Sequence, residues 1–159
     1  VNFYKSFNIP IKIVRPFNNY GPGLDLKDGR VIPDFFSNVI KGKDIVLYSD
    51  GNPTRTFCYI SDAIEGYLRA LLVGKAGESY NIGTEKPEIS ISYLAEKIID
   101  ISNKKLNVKY ETSSDPNYLS DNPNRRCPSI KKARRELNFN PKIDLVEGLG
   151  YTYDYYRNR

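Results

Sequence analysis

Three features of the sequence predict an α/β fold, closer to an α+β arrangement than to a run of repeated βαβ units. Short β-branched runs such as Ile11-Lys12-Ile13-Val14 read as strands of a largely buried sheet. Longer stretches carry apolar residues at helical spacing, as in residues 31–41, where Val31, Ile32, Phe35, Phe36, Val39 and Ile40 share one face. Gly, Pro and Asn clusters separate the two patterns, and neither a Gly-rich nucleotide-binding turn nor an internal repeat interrupts them.

The elements follow in order. Residues 1–7 have apolar and aromatic positions three and four apart and read as the end of a helix, stopped by Asn8-Ile9-Pro10. The strand 11–14 ends at Arg15-Pro16, and Tyr20-Gly21-Pro22-Gly23 forms a loop. In helix 31–41, Pro33 fits because it falls in the first turn. Residues 45–48 and 54–60 read as two short strands about a turn at 49–52. Ser61 and Asp62 offer N-caps for a helix to about residue 73. A brief strand at 80–83, a helix beginning at Ser90 or Ser92 and a strand over 106–110 come next. Residues 115–128 hold three prolines and read as a long irregular loop, the kind that often carries function. Helices over 130–137 and 145–156 close the chain, and the tyrosines at 151, 153, 155 and 156 are expected to form a packing face.

Composition excludes several classes. Hydrophobic residues at 40% and charged residues at 27% suit a globular protein. No apolar run approaches the ~18 residues of a membrane span, so a cytoplasmic protein without a membrane partner is expected. With two cysteines, Cys58 and Cys127, and no histidine, a metal site or disulfide framework is poorly supplied, and both thiols are expected to pack. The formal charge of +5 fits an anionic partner; with no nucleic-acid motif present, a small phosphorylated ligand is the better match. The chain opens on Val1 and contains no methionine, which reads as a fragment.

Five motifs then fall in a telling order: Arg15-Pro16-Phe17-Asn18-Asn19-Tyr20-Gly21-Pro22-Gly23; Gly29-Arg30-Val31-Ile32-Pro33; Leu47-Tyr48-Ser49-Asp50-Gly51 with Thr54-Arg55-Thr56-Phe57-Cys58-Tyr59-Ile60-Ser61-Asp62-Ala63; Tyr80-Asn81-Ile82-Gly83; and Asp121-Asn122-Pro123-Asn124-Arg125-Arg126 through Glu147-Gly148-Leu149. Together they resemble the C-terminal, substrate-binding part of extended short-chain dehydrogenases acting on nucleotide sugars, nearest the UDP-glucuronate decarboxylases and dTDP-glucose 4,6-dehydratases. The resemblance covers nearly the whole chain. It implies a single substrate-binding domain over 1–159, with 1–16 the helix end and strand of the Rossmann part and 17–159 the substrate lobe. The N-terminal dinucleotide-binding half, the catalytic Ser/Thr and Tyr-x-x-x-Lys would all precede Val1. No catalytic residue is therefore expected here, and NAD is expected to be bound by the full-length parent, a homodimer, rather than by this chain. The sequence Tyr93-Leu94-Ala95-Glu96-Lys97 spells Tyr-x-x-x-Lys, but in the wrong place for the family.

The resemblance also implies the binding residues. A nucleotide sugar presents a diphosphate, whose oxygens suit planar arginine forks. Arg30 with the Val31 amide is expected at the substrate, where a helix N-terminus also favours an anion; the alternative is a solvated arginine. Arg55 and Arg126 are carried over as diphosphate and distal nucleotide contacts, Arg55 having a structural ion pair as its alternative. Asn18 suits phosphate or sugar hydroxyls, and Asn19 beside it has a turn role as its simpler reading. Tyr48 matches the nucleobase position, with packing as the equal alternative. The expected function is nucleotide-sugar binding within an NAD-dependent epimerase, dehydratase or decarboxylase; a stand-alone binding module without catalysis is the alternative.

Overall fold

Val14, with parallel partners on one side and helices beneath, shows how the chain is knitted. In the computed structural model, which describes residues 2–112 and 123–158, a short helix α1 (Asn2–Phe7) leads into strand β1 (Ile13–Pro16). β1 pairs in parallel with β6 (Ser79–Ile82), Ile13 opposite Ser79 and Pro16 opposite Ile82. Parallel pairing requires a long crossover. Here it contains β2 (Asn19–Tyr20), α2 (Val31–Ile40), β3 (Ile45–Leu47), β4 (Thr54–Arg55), β5 (Cys58–Tyr59) and α3 (Ile60–Val73). After β6 come β7 (Ile89–Ser90), α4 (Ile91–Ser102), β8 (Val108–Tyr110), β9 (Arg125–Arg126), α5 (Lys131–Leu137) and α6 (Leu145–Arg157).

Two apolar clusters hold these elements. One lies under β1 and β6, where Ala63 and Ala70 of α3 and Ala133 and Leu137 of α5 close on Tyr80, Ile82 and Phe139. The other joins α2, α4 and α6 through Phe35, Phe36, Val39, Leu94, Ile98 and Leu149. Tyr153 stacks on Phe36 at 6.4 Å between centroids, and Tyr156 packs on the same ring, as expected for the tyrosine-rich helix. Tyr151 is the exception, half exposed beside Tyr59. Cys58 is fully buried, its thiol pushed up to about 12 by burial and then by the Asp62 charge; Cys127 is partly exposed, and both are free. Among the described residues no helix is long and apolar enough to cross a membrane, and no His/Cys/Asp/Glu group is placed to hold a metal.

Four local expectations change. The strand expected over 54–60 is two strands in two sheets: β4 lies between β7 and β9, while β5 pairs in parallel with β2. The exchange of partners falls at Thr56 and Phe57, since the Thr56 N–H is the last to reach Arg126 O and the Cys58 N–H turns to Asn18 O at 3.2 Å. The strand at 45–48 pairs not with its neighbour across the turn but in parallel with β8. Within the irregular stretch 115–128, residues 113–122 lie outside the described residues, and Arg125–Arg126 forms a strand. Finally, Ser61 and Asp62 are not caps. β5 runs straight into α3, the N-cap is Tyr59 without a side-chain bond, and Asp62 Oδ2 instead accepts the Lys142 and Ile143 N–H groups, both at 2.9 Å. Ser90 does cap α4, accepting the Tyr93 N–H at 3.1 Å.

Some apolar surface remains outside. Phe3 and Phe7 on α1 and Leu68, Leu71 and Leu72 on α3 are each more than half exposed, and β1 has β6 as its one partner strand among the described residues.

Candidate functional site

A cleft of about 570 Å³ opens between the N-terminus of α2, the end of β3 and the sheet of β4 and β9. That volume suits a small-molecule site. Asn18, Arg30, Val31, Tyr48, Arg55 and Arg126 all line it, although they lie far apart in the sequence.

Each is positioned by local chemistry. Asn18 sits in the left-handed region at φ +45°, which asparagine tolerates better than most residues. Its Nδ2 donates to Thr56 O at 2.8 Å, and its own carbonyl takes the Cys58 N–H, so the loop is fastened to the chain beyond Arg55. Gly29, at φ +77°, permits the turn that delivers Arg30 to the N-cap of α2. The Val31 amide then opens the helix, where backbone N–H groups and the dipole favour an anion. The Arg30 guanidinium itself is half exposed at the cleft edge and folds back on Asp28, its Nε donating to Oδ2 at 2.7 Å. Arg30 thus borders the cleft and is solvated.

Arg55 and Arg126 form the most unusual feature. They are register partners on parallel strands, so two guanidinium-bearing residues lie side by side at one wall. Arg55 is 6% exposed while Arg126 faces solvent. Burial, and then the charge of Arg126, push the Arg55 guanidinium below the ordinary arginine value. Like charges opposite one another in a sheet are destabilising, and a burial that disfavours the charged form adds to that cost. Arg55 Nη1 donates to Thr54 O at 2.8 Å.

Tyr48 follows β3, lines the cleft and is 44% exposed. The apolar lining was missed in the sequence: Leu24, Phe35, Val46, Pro53, Phe57 and Ile91 complete the walls. Nothing in their local pattern separates them from core, because periodicity reports burial and not what is buried against. Asn19 also lines the cleft, and its Nδ2 contacts the Tyr67 hydroxyl. Beneath them Tyr20 is buried and donates its hydroxyl to Leu145 O at 3.2 Å; burial raises its pKa far above the usual phenol range, which suits a structural role.

The Tyr93–Lys97 pair lies on α4 outside the cleft lining. Lys97 binds Asp100 at 3.0 Å and sits 5.3 Å from the centre of the Tyr93 ring, an ordinary helix-surface arrangement.

Comparison with known proteins bears on the family and the fold. Residues 1–83 match the sequence model of the NAD dependent epimerase/dehydratase family. UDP-glucuronic acid decarboxylase 1 of Arabidopsis thaliana is 33% identical over 159 residues, which is 100% of this chain and 35% of that protein. UDP-N-acetyl-alpha-D-glucosaminuronate decarboxylase of Bacillus cytotoxicus is 36% identical, covering 97% of this chain and 48% of its own length. The structure of UDP-glucuronic acid 4-epimerase from Bacillus cereus in complex with UDP-glucuronic acid and NAD superposes with a TM-score of 0.86 at 30% identity, over 99% of this chain and 48% of that one. The chain therefore spans between about a third and a half of the length of these relatives. A matching family model, relatives aligned along the whole chain and a shared mixed α/β fold lead to one assignment: the chain belongs to the NAD dependent epimerase/dehydratase family.

Proposed function

We propose that this chain is the nucleotide-sugar-binding portion of an NAD-dependent sugar-nucleotide epimerase, dehydratase or decarboxylase. The observation that carries the reading is the juxtaposition of Arg55 and Arg126 in a cleft shared with Asn18, the N-terminus of α2 and Tyr48. In this reading the two arginines and the Val31 amide hold the diphosphate, Asn18 reaches the phosphate or sugar, and Tyr48 covers the base of a UDP- or dTDP-sugar. The Bacillus cereus epimerase, whose structure holds UDP-glucuronic acid and NAD, supports the ligand class.

Residues 1–159 contain no Gly-rich dinucleotide turn, the element that seats a pyrophosphate-linked cofactor on a helix N-terminus. Hydride transfer, proton transfer and NAD binding therefore fall, in this reading, to a nucleotide-binding half outside residues 1–159. The exposed face of α1 and α3 and the open edge of β1 are the surface this reading gives to that half.

Isothermal titration of UDP-glucuronic acid and dTDP-glucose into the chain is the direct test. Binding with amide shifts at residues 18, 31, 48, 55 and 126 is expected. Absence of heat together with unmoved amides at millimolar ligand overturns the assignment. Tyr48→Ala gives a sharper check: it should weaken UDP binding by about 1 kcal/mol, roughly fivefold, while leaving inorganic pyrophosphate unaffected. Equal losses for both ligands would remove Tyr48 from the base site.

A further inference from the structure

Arg126 stands beside Arg55 against their mutual repulsion, at the end of a strand two residues long that closely follows the stretch 113–122. Backbone bonds hold that strand to its neighbour, among them Thr54 N–H to Asn124 O at 2.8 Å and Thr56 N–H to Arg126 O at 3.4 Å. A strand this short, carrying a like charge opposite its partner, needs another fastening.

Glu88 supplies it. Placed just before β7, it reaches across both other strands of the three-stranded sheet. Its Oε1 accepts the Thr54 hydroxyl at 2.6 Å, and its Oε2 accepts Arg125 Nη2 at 2.7 Å. The two oxygens of one carboxylate thus tie β4 to β9 at the residue pair next to Arg55 and Arg126. Downstream, Glu85 makes a second tie. Its side chain accepts Ile130 N–H and Arg134 Nη1, both at 3.1 Å, and Cys127 Sγ lies 3.6 Å from its backbone oxygen. Neither Glu88 nor Arg125 lines the cleft, so their contribution is to place Arg126 rather than to touch a ligand.

We propose that Glu88 is a positioning residue for the anion site: it clamps β9 against β4 and thereby sets Arg126 beside Arg55. The inference rests on the reading of the cleft as a diphosphate site. It makes a prediction opposite in sign to simple electrostatics. Removing a carboxylate from the neighbourhood of two arginines raises the positive potential and on that ground alone tightens anion binding. Loss of the clamp loosens Arg126 and weakens it.

The experiment uses the 159-residue chain with UDP as the probe, titrated calorimetrically, and amide hydrogen exchange at Thr54 and Thr56. Glu88→Gln is expected to weaken UDP binding about three- to fivefold, the scale of a partly exposed ion pair, and to speed exchange at both amides. Glu88→Asp, which keeps the charge but shortens the reach, should fall between. In an Arg126→Ala background, Glu88→Gln should change UDP binding no further, because its effect passes through Arg126. Far-UV circular dichroism checks that each variant is folded, and the exchange readout is confined to two residues, so a general loss of structure is recognisable. If Arg126→Ala weakens UDP binding while Glu88→Gln leaves it unchanged or tightens it, the clamp is overturned and the diphosphate reading stands. If Arg126→Ala has no effect on UDP, the diphosphate reading fails, and exchange at Thr54 and Thr56 still decides for or against the clamp.

Discussion

Replacing Arg55 with alanine should weaken nucleotide-sugar binding by about 3 kcal/mol, on the order of a hundredfold in dissociation constant. The size follows from where the residue sits. Arg55 is 6% exposed in the middle strand of its sheet, so a phosphate that reaches it is already largely out of water, where charge-assisted hydrogen bonds are strongest. Arg126, across the register, faces solvent and is screened, so Arg126→Ala should cost less, about 1 kcal/mol. Arg55→Lys separates charge from shape: the ammonium keeps the positive charge but loses the planar fork, and an intermediate loss of about tenfold is expected. Titration calorimetry with UDP-glucuronic acid measures all three, with a thermal melt of each variant to show that the fold persists. An Arg55→Ala chain that binds as tightly as the parent removes the diphosphate from this wall of the cleft.

How much of this was legible in the sequence depends on how local the signal is. Helices α2, α4 and α6 were readable because each keeps an apolar stripe at helical spacing for ten residues or more. Ser90 was readable as a cap because its partner, the Tyr93 amide, lies three residues away. The strands were harder. Thr54 to Tyr59 looks like one strand, and only the arrival of Asn18 on one side and Arg126 on the other divides it, information that no window of neighbouring residues holds. For the same reason Arg125–Arg126 passed for loop: a two-residue strand has no periodicity to detect. The six candidate residues were singled out through ordered motifs, and their meeting in one cleft is a property of tertiary structure. The apolar walls of that cleft, Pro53, Phe57 and Ile91 among them, carried no mark that distinguished lining from core.

Asp62 shows the same limit and carries the second large expectation. In sequence it stands where an N-cap should be; in the fold it is third in α3, 4% exposed, and its Oδ2 accepts two backbone N–H groups from the segment leading into α6. An acidic residue in the first turn also suits the helix dipole. Asp62→Ala strands both amides at once and should destabilise the chain by about 2–4 kcal/mol, a fall of roughly 5–15 °C in Tm for a domain of this size. Because one oxygen takes both bonds, Asp62→Asn can place its carbonyl in the same position and lose only the charge, so about 1 kcal/mol is expected. The effect should reach the cleft. The segment tied by Asp62 runs into the start of α6, where Leu145 O accepts the hydroxyl of Tyr20, and Tyr20 lines the cleft beside Asn18. Thermal melts with hydrogen exchange at Lys142 and Ile143 check the chain of cause: faster exchange at both amides in Asp62→Ala, near-parental protection in Asp62→Asn. If both variants melt with the parent, the buried carboxylate is not what joins α3 to α6, and the placement of Tyr20 must depend on the packing of Leu145 and Leu149 alone.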